Sequence, residues 1–124
     1  MSLAVAEWNR CKAWIEGALD YVLEHTIEDI AEFVEAGDAI FWPGRNCACV
    51  TQFWEFPRSK GLNFWLAGGD MRELLNEMFP VLEAWGLEVG CTSFFVAGRP
   101  GWARAMKPMG FDPRWTVLCK EVKT

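Results

Sequence analysis

The N-terminal part of the chain has the spacing of amphipathic helices. Over residues 4–22, apolar side chains recur every three or four positions, which places them on one face of a helix. That face consists of Trp8, Cys11, Ile15, Leu19 and Val22. A second helix is predicted to begin after Thr26, whose hydroxyl is suited to cap it, with Asp29 three residues on. Gly37 is suited to end this second helix.

The apolar period then changes to that of β-strands. We predict strands at residues 39–42, 47–56 and 62–67, with turns rich in proline and glycine at residues 43–46 and 57–61. Apolar residues on both faces of the second strand indicate a central place in a sheet. Because the connections are short, the three strands are predicted to form an antiparallel meander.

Helices and strands alternate in the second half of the chain. Asp70 is suited to cap a long helix, and Pro80 within this helix predicts a kink or a break. The helical crossover is long enough for the next strand, at residues 91–97, to pair in parallel. Pro100 begins a short helix, and residues 115–122 are predicted to form the last strand. These elements predict an α/β (α+β) fold with a mixed sheet.

The composition restricts the class of protein. A chain of 124 residues with 52% hydrophobic and 15% aromatic content fits one domain over residues 1–124 and excludes intrinsic disorder. No apolar run approaches the ~20 residues of a membrane helix, and no signal-peptide pattern is present. We therefore expect a cytoplasmic domain without a membrane partner. One interpretation of residues 1–3 is a remnant of cloning.

The charge is distributed unevenly along the chain. The net charge is −5, with −7 in residues 1–40, −2 in residues 41–88 and +4 in residues 89–124. An acidic total argues against broad nucleic-acid binding, which depends on neutralising phosphates. The basic last third has two interpretations. Either it holds an anionic group, or it neutralises the acidic first third within the fold or in a dimer.

The cysteines do not predict a metal site. They are Cys11, Cys47, Cys49, Cys91 and Cys119. No CxxC spacing occurs, and His25 is the only histidine, so the ligand set of a structural zinc site is missing. We predict reduced, buried thiols.

The order of the predicted elements resembles the GNAT superfamily of acyl-CoA-dependent N-acetyltransferases. The resemblance includes the N-terminal helix pair, the three-strand meander and the following helix, strand, helix and strand. The segment GCTSFFVAGRPGWARAMKPMGF, residues 90–111, is similar to the superfamily's fifth strand and the helix after it. The family's usual first strand has no counterpart in this chain. The layout also resembles GNAT-like proteins of phages and prophages, which implies a virion-associated location as an alternative.

The resemblance implies which residues would bind acetyl-CoA. In the family, the loop after the fourth strand holds the pyrophosphate on backbone N–H groups. The corresponding segment is Leu66-Ala67-Gly68-Gly69-Asp70-Met71. Arg99 and Trp102 in the last helix complete the implied cofactor site, at positions where the family has Asn and Ala. Asp70 places a carboxylate where phosphate would lie, so a plain helix cap is the alternative for this residue.

The same resemblance implies candidate catalytic residues. Glu55 is the carboxylate best placed as a general base, with an exposed strand residue as the alternative interpretation. Met106 occupies the position of the family's tyrosine general acid, and a thioether cannot donate a proton. Cys91 or Cys119 would have to replace it, and nothing in the sequence activates either thiol. His25 lies before the second helix, where a surface position is the alternative to a catalytic one.

Two functions from different classes follow from these residues. The first is a non-catalytic, degenerate GNAT-like domain that works through exposed aromatic patches with a protein partner or as a homo-oligomer. Eight tryptophans in a small domain favour such patches. The second is an N-acetyltransferase with an atypical acetyl-CoA site. The altered phosphate loop and the missing tyrosine favour the first.

Overall fold

The computed structural model describes residues 5–19, 24–98 and 100–122, in which a four-stranded sheet carries helices on both faces. The strands are β1 (Ile40–Pro43), β2 (Cys47–Phe56), β3 (Ser59–Gly69) and β4 (Ser93–Phe95). The helices are α1 (Val5–Leu19), α2 (Ile27–Ala36), α3 and α4 (Gly101–Met106). Helix α3 comprises Met71–Glu73, a π-helical stretch at Leu74–Met78, and Phe79–Glu88.

The sheet has the mixed topology predicted from the sequence. Its order is β1-β2-β3-β4, with antiparallel pairing in the meander β1–β2–β3. Helix α3 connects β3 to β4, and these two strands pair in parallel. The predicted fold class and the parallel crossover are therefore confirmed. Strand β4 is shorter than the predicted strand at residues 91–97, because only three of its residues pair with β3.

The two N-terminal helices begin and end where local chemistry favours it. The Thr26 hydroxyl accepts a hydrogen bond from the Asp29 N–H, and the Asp29 carboxylate accepts one from the Thr26 N–H. This reciprocal pair is the predicted capping box. Gly37 ends α2 at φ 84°, a backbone conformation that glycine adopts without steric cost. The predicted α1 stripe is buried at Trp8, Cys11, Ile15 and Leu19, and Val22 lies outside the described residues.

Pro80 is accommodated without breaking α3. Immediately before it, the Phe79 N–H bonds to the Leu74 carbonyl, which is a wide, π-helical turn. Pro80 comes directly after this wide turn, which accommodates its ring and its missing N–H within the helix. The expected irregularity is therefore a π turn preceding the proline.

Two hydrophobic cores fill the space between the sheet and its helices. The core under α1 and α2 contains Trp8, Cys11, Ile15, Leu19, Ile30, Ala39, Ala48, Val50 and Leu66. The core under α3 and α4 contains Cys47, Cys49, Leu62, Phe64, Leu74, Phe79, Leu82, Cys91 and Met106. Both faces of the sheet are covered, and β2 lies in its interior, which confirms the central place predicted for this strand.

The strand predicted at residues 115–122 is not formed. Residues 111–122 have no regular secondary structure, and residues 112–122 are exposed. The apolar alternation was the correct signal for β-propensity, but a strand also needs a neighbour for its backbone hydrogen bonds. Trp115 instead packs its ring on Trp54 and Phe95, with centroids 6.3 and 5.6 Å apart. This tryptophan, 54% exposed, also bears out the expectation that some aromatic residues reach the surface.

The cysteines are reduced, and four of them are buried. Cys11, Cys47, Cys49 and Cys91 lie in the cores as predicted, whereas the prediction of a buried thiol is wrong for Cys119, which is exposed because residues 115–122 form no strand. Among the described residues, no three histidine, cysteine or acidic side chains are grouped so that they would hold a metal ion. None of the described helices has the length and apolar character needed to span a membrane.

Gly17→Ala is expected to stabilise the protein by about 0.5–1 kcal/mol, because glycine inside a helix loses more backbone entropy than alanine. A Cβ at Gly17 meets no atom within 4 Å, so the added methyl group causes no clash in α1. Gly37→Ala is the matched control, and its φ of 84° predicts a loss of stability instead. Urea unfolding of both variants measures the two changes, and a destabilised Gly17→Ala would contradict the packing of α1.

Candidate functional site

Strands β3 and β4 separate after a short paired stretch. They pair only at Gly61–Ser93, Leu62–Phe94 and Asn63–Phe95. Just beyond this point β3 contains a bulge, since Thr51 pairs with Phe64 and Val50 pairs with Leu66. Trp65 is therefore the extra residue on β3. A bulge bends its strand and increases the local twist, so residues 64–69 diverge from the chain that continues beyond β4.

A cavity of about 580 Å³ lies in the gap between the separated strands. It is within the 300–1,000 Å³ range of small-molecule sites. The β3 side contributes Phe64, Trp65, Leu66, Ala67, Gly68 and Gly69. The helices and the chain after β4 contribute Ala13, Trp14, Gly17, Ala18, Met71, Leu74, Phe79, Val96, Gly98 and Trp102. The lining side chains are apolar apart from the indole N–H groups of the tryptophans, so backbone amide and carbonyl groups supply most of the polar surface. Such a cavity suits a slender ligand that carries its own amide groups.

At one end of the cavity, the N-terminus of α3 is capped by an acidic side chain. The Asp70 carboxylate accepts a hydrogen bond from the Glu73 N–H at 3.1 Å. The Asp70 carbonyl accepts a second bond, from the Leu74 N–H. The helix cap that the sequence predicts for Asp70 is confirmed. Its charge already stabilises the positive end of the helix dipole, which lowers the attraction of this end for a phosphate.

The two glycines before this cap are required by packing within the chain. A Cβ at Gly68 would lie 2.3 Å from the Trp14 carbonyl oxygen, so only glycine lets α1 approach β3 this closely. A Cβ at Gly69 would lie 2.5 Å from the Asn46 carbonyl oxygen, and the residue has φ 99°. Contacts with the chain's own backbone therefore explain why both positions are glycine, and no phosphate-binding role is needed to explain them.

Glu73 ties the start of α3 to the β1–β2 turn. Its carboxylate accepts hydrogen bonds from the backbone N–H of Arg45 at 2.7 Å and of Asn46 at 2.9 Å. Partial burial raises the pKa of the Glu73 carboxyl, but these bonds and one from the Cys47 thiol outweigh that effect and leave the pKa below its ordinary value. Burial and the neighbouring carboxylate raise the pKa of Cys47 to about 12, so this thiol is inert.

Glu73→Gln is expected to lower the melting temperature at neutral pH by a few degrees, on the order of the usual effect of losing one charged hydrogen-bond acceptor. Folding lowers the pKa of this carboxyl, so its ionised form stabilises the native state at every pH above the pKa that it has in the unfolded chain. This stabilisation is lost as the pH falls through the lower pKa of the folded state. The difference between wild type and variant should therefore shrink below about pH 4. Glu77→Gln is the matched control, because the side chain of Glu77 makes an exposed ion pair with Arg45. Equal effects of both variants at all pH values would contradict this role of Glu73.

Comparison with known proteins identifies the fold. No protein-family model matches the chain, and no curated protein matches it by sequence. The structure is similar to TTHA1254 from Thermus thermophilus, with 14% identity, a TM-score of 0.64 and coverage of 98% of this chain and 95% of that one. It is similar to glucosamine-6-phosphate N-acetyltransferase from Arabidopsis thaliana, with 11% identity, a TM-score of 0.63 and coverage of 99% and 97%. A Trypanosoma brucei acetyltransferase matches with 9% identity, a TM-score of 0.58 and coverage of 77% and 78%.

The chain has the GNAT fold. The resemblance predicts that β3 corresponds to the strand before the phosphate loop and β4 to the family's fifth strand. The segment predicted to bind cofactor, residues 66–71, lines the cavity except for Asp70, which caps α3 at its mouth. Arg99 lies outside the described residues. The role of this segment in cofactor binding stays a prediction.

Trp102 lines the cavity of the GNAT fold without closing it. Its ring lies 6.4 Å from that of Phe79, and Gly98 leaves room for the indole, since a Cβ there would lie 2.9 Å from Trp102 Cδ1. Trp102 was expected to crowd this site, but a cavity of about 580 Å³ remains open beside it. Met106, which the resemblance places at the position of the family's tyrosine, is buried in the core. This position has no proton donor.

None of the candidate catalytic residues Glu55, Cys91 and His25 lines the cavity. Glu55 is exposed near the β2–β3 turn, where it pairs with Lys60. It lies four residues along β2 from Thr51, the residue next to the bulge. At ~3.3 Å per residue, this is about 13 Å along the strand. Cys91 is buried in the core, and burial raises the pKa of its thiol. His25 makes ring contacts with Phe33 and Trp65 at 5.6 and 5.1 Å, outside the cavity lining.

The contribution of α1 to the cavity was missed by the sequence analysis. Ala13 and Gly17, four residues apart, lie on the part of α1 that faces the gap, with Trp14 and Ala18. Small residues one helical turn apart permit close approach of another chain segment or a ligand. The spacing of these small residues could have indicated a second contact face of α1. The sequence analysis considered only the apolar stripe on the neighbouring face.

Proposed function

We propose that this chain is a degenerate GNAT-fold domain that binds the acyl-pantetheine arm of an acyl-CoA without transferring the acyl group by acid–base catalysis. The open cavity between the separated strands β3 and β4 carries the proposal. Its apolar walls suit a hydrocarbon and thioester arm, and the backbone of residues 64–69 offers amide partners for the amides of pantetheine. Acetyltransferases among the structural neighbours support this ligand class.

None of the described residues that line the cavity has an acidic, basic, thiol or phenol side chain, which supports the absence of transfer. Transfer to an amine needs a base for the attacking nitrogen and an acid for the leaving thiolate. Met106 supplies neither, and Cys91 is a buried thiol with a raised pKa. Glu55 lies at the far end of β2. Loss of a general acid alone lowers rates by about 10²–10⁴-fold.

Acetyl-CoA binding tests the first half of this proposal. Ligand at about 100 times its dissociation constant should stabilise the protein by ~2.7 kcal/mol. This corresponds to a rise of several degrees in melting temperature. Calorimetric titration should show one site per chain, and acetyl-pantetheine should compete for it. An unchanged melting curve at millimolar acetyl-CoA would contradict the proposal.

An acetyl-transfer assay tests the second half. With a panel of primary amines and saturating acetyl-CoA, we expect free-thiol release no faster than in the absence of protein. An N-acetyltransferase with an atypical cofactor site is the second candidate, and the retained cavity volume is the observation that favours it. Turnover above background that is abolished by blocking the cavity would establish this second candidate.

Asp70→Asn is expected to increase the affinity for acetyl-CoA by roughly three- to tenfold, since it removes a negative charge from the mouth of the cavity. Asparagine caps helices as well as aspartate, so folding stability should change little. Acetyl-pantetheine has no phosphates and serves as the control ligand, whose affinity should not change. If the two ligands respond equally, the nucleotide does not lie at the start of α3.

We further propose that the domain acts through protein contacts, as its exposed aromatic cluster suggests. The rings of Trp54, Phe95 and Trp115 contact one another beside Phe56, which is 43% exposed. Exposed groups of large aromatic residues usually mark interaction surfaces. A phage or prophage origin and a virion-associated role stay predictions of the sequence resemblance.

A further inference from the structure

We infer that the acyl group bound in the cavity is an apolar hydrocarbon chain longer than acetyl, of the butyryl or hexanoyl class. This inference rests on the proposed acyl-CoA site and names the acyl group that the site selects. The observations that carry it are the buried aromatic inner end of the cavity and the small residues of α1 beside that end.

The inner end of the cavity is formed by aromatic side chains of the core. Phe64 directly follows Asn63, the last β3 residue that pairs with β4, so it lies where the two strands begin to separate. Its ring stacks on that of Phe79 at a centroid distance of 4.6 Å, and both side chains line the cavity and are buried. Gly69 and Met71, at the other end of the lining, are exposed. We therefore place the acyl chain at the buried end, because the charged phosphates of the nucleotide need water or paired charges.

Helix α1 brings small residues to the inner half of the cavity. It runs in the opposite direction to β3, since Arg10 donates hydrogen bonds to the β1–β2 turn, at the C-terminal end of β3, and Trp14 lies next to Gly68. Gly17 and Ala18, one turn further along α1, therefore line the cavity toward its inner end. A Cβ at Gly17 meets no atom within 4 Å, so space for an acyl chain remains beside this wall.

The chemistry of the lining favours a hydrocarbon over a charged acyl group. No described lining side chain is charged, and the indole N–H groups of the lining tryptophans are its polar side-chain atoms. A carboxylate at the end of the acyl chain would therefore be buried without an opposite charge, which is strongly unfavourable. A methylene group has no such cost, and each one that is buried should lower the dissociation constant about fourfold.

Calorimetric titration with a series of acyl-CoA esters tests this inference. The dissociation constant should fall at least about tenfold from acetyl-CoA to butyryl-CoA, which has two more methylene groups, and should fall again for hexanoyl-CoA. Succinyl-CoA is the matched control ligand, because its acyl group has the length of butyryl and ends in a carboxylate, and it should bind no more tightly than acetyl-CoA.

The series separates this inference from the proposed function. Equal affinities for acetyl-CoA and butyryl-CoA would overturn the inference and leave the proposed acyl-CoA site intact. Binding of succinyl-CoA as tight as that of butyryl-CoA would also overturn it. If none of the esters binds, the inference and the proposed function both fail.

Substitution of Gly17 locates the acyl chain. Gly17→Val fills space beside the α1 wall, so the gain in affinity from acetyl-CoA to butyryl-CoA should shrink to about twofold or less. Gly101→Val is the matched control, since Gly101 lies outside the cavity lining and this variant should retain the full gain. In wild type, nuclear Overhauser effects should connect the terminal methyl group of bound hexanoyl-CoA to the rings of Phe64 and Phe79. A full gain in Gly17→Val, or methyl contacts only with residues outside the cavity, would overturn the inference.

Discussion

Gly68→Ala is expected to destabilise the protein by about 3 kcal/mol, the upper end of the usual cost of overpacking. The added Cβ would lie 2.3 Å from the Trp14 carbonyl oxygen and 3.0 Å from its carbonyl carbon. These are backbone atoms of α1, so no side-chain rotation relieves the clash and the whole helix must move away from β3. Chemical denaturation of wild type and variant measures the loss directly.

Gly101→Ala is the control for this prediction. A Cβ at Gly101 meets no atom within 4 Å, so the exposed start of α4 tolerates it. We expect its unfolding free energy to stay within about 0.5 kcal/mol of wild type. If Gly68→Ala is as stable as Gly101→Ala, then α1 does not pack against Gly68. That result would contradict the position of α1 in the wall of the cavity.

Gly17→Phe is expected to weaken acetyl-CoA binding at least tenfold while leaving the protein folded. Gly17 lines the cavity, and a side chain there starts in open space. A phenyl ring at this position occupies volume that the acyl-pantetheine arm needs, so the dissociation constant should rise at least tenfold, or about 1.4 kcal/mol. Isothermal titration calorimetry with acetyl-CoA measures the change.

The matched control is Gly101→Phe, which adds the same ring at another exposed glycine with open space around its Cβ. Gly101 does not line the cavity, so acetyl-CoA should bind this variant with the wild-type affinity. Equal weakening by both substitutions would show that the added ring acts through general destabilisation. Unchanged binding by Gly17→Phe would place the ligand outside the cavity.

Local chemistry made most of the fold predictable from the sequence. The capping box of Thr26 and Asp29, the left-handed Gly37 and the cap at Asp70 depend on residues three to eleven positions apart, and all three are present. Strand β2 was placed at its observed bounds, because its apolar residues on both faces predict a central strand. Such signals need no knowledge of distant parts of the chain.

The site depends on contacts between distant segments, and these were harder to predict. The bulge at Trp65 shows only in the register between β2 and β3. Gly68 and Gly69 suggested a ligand, whereas their neighbours are Trp14 and Asn46. Residues 115–122 have the pattern of a strand, but pairing depends on where the preceding chain leads. The Trp115 ring contacts Trp54 and Phe95, and residues 111–122 have no regular secondary structure.

Nuclear magnetic resonance during a titration with acetyl-CoA is the most direct test of the central claim that the gap between β3 and β4 binds the acyl-pantetheine arm. We predict saturable shifts at the backbone amides of residues 64–69 and at the Trp102 indole N–H, with no shifts at the amides of the β2–β3 turn. No acetylated product or free CoA should accumulate during the experiment. Unchanged spectra at millimolar ligand, or shifts confined to residues outside the cavity, would contradict the claim.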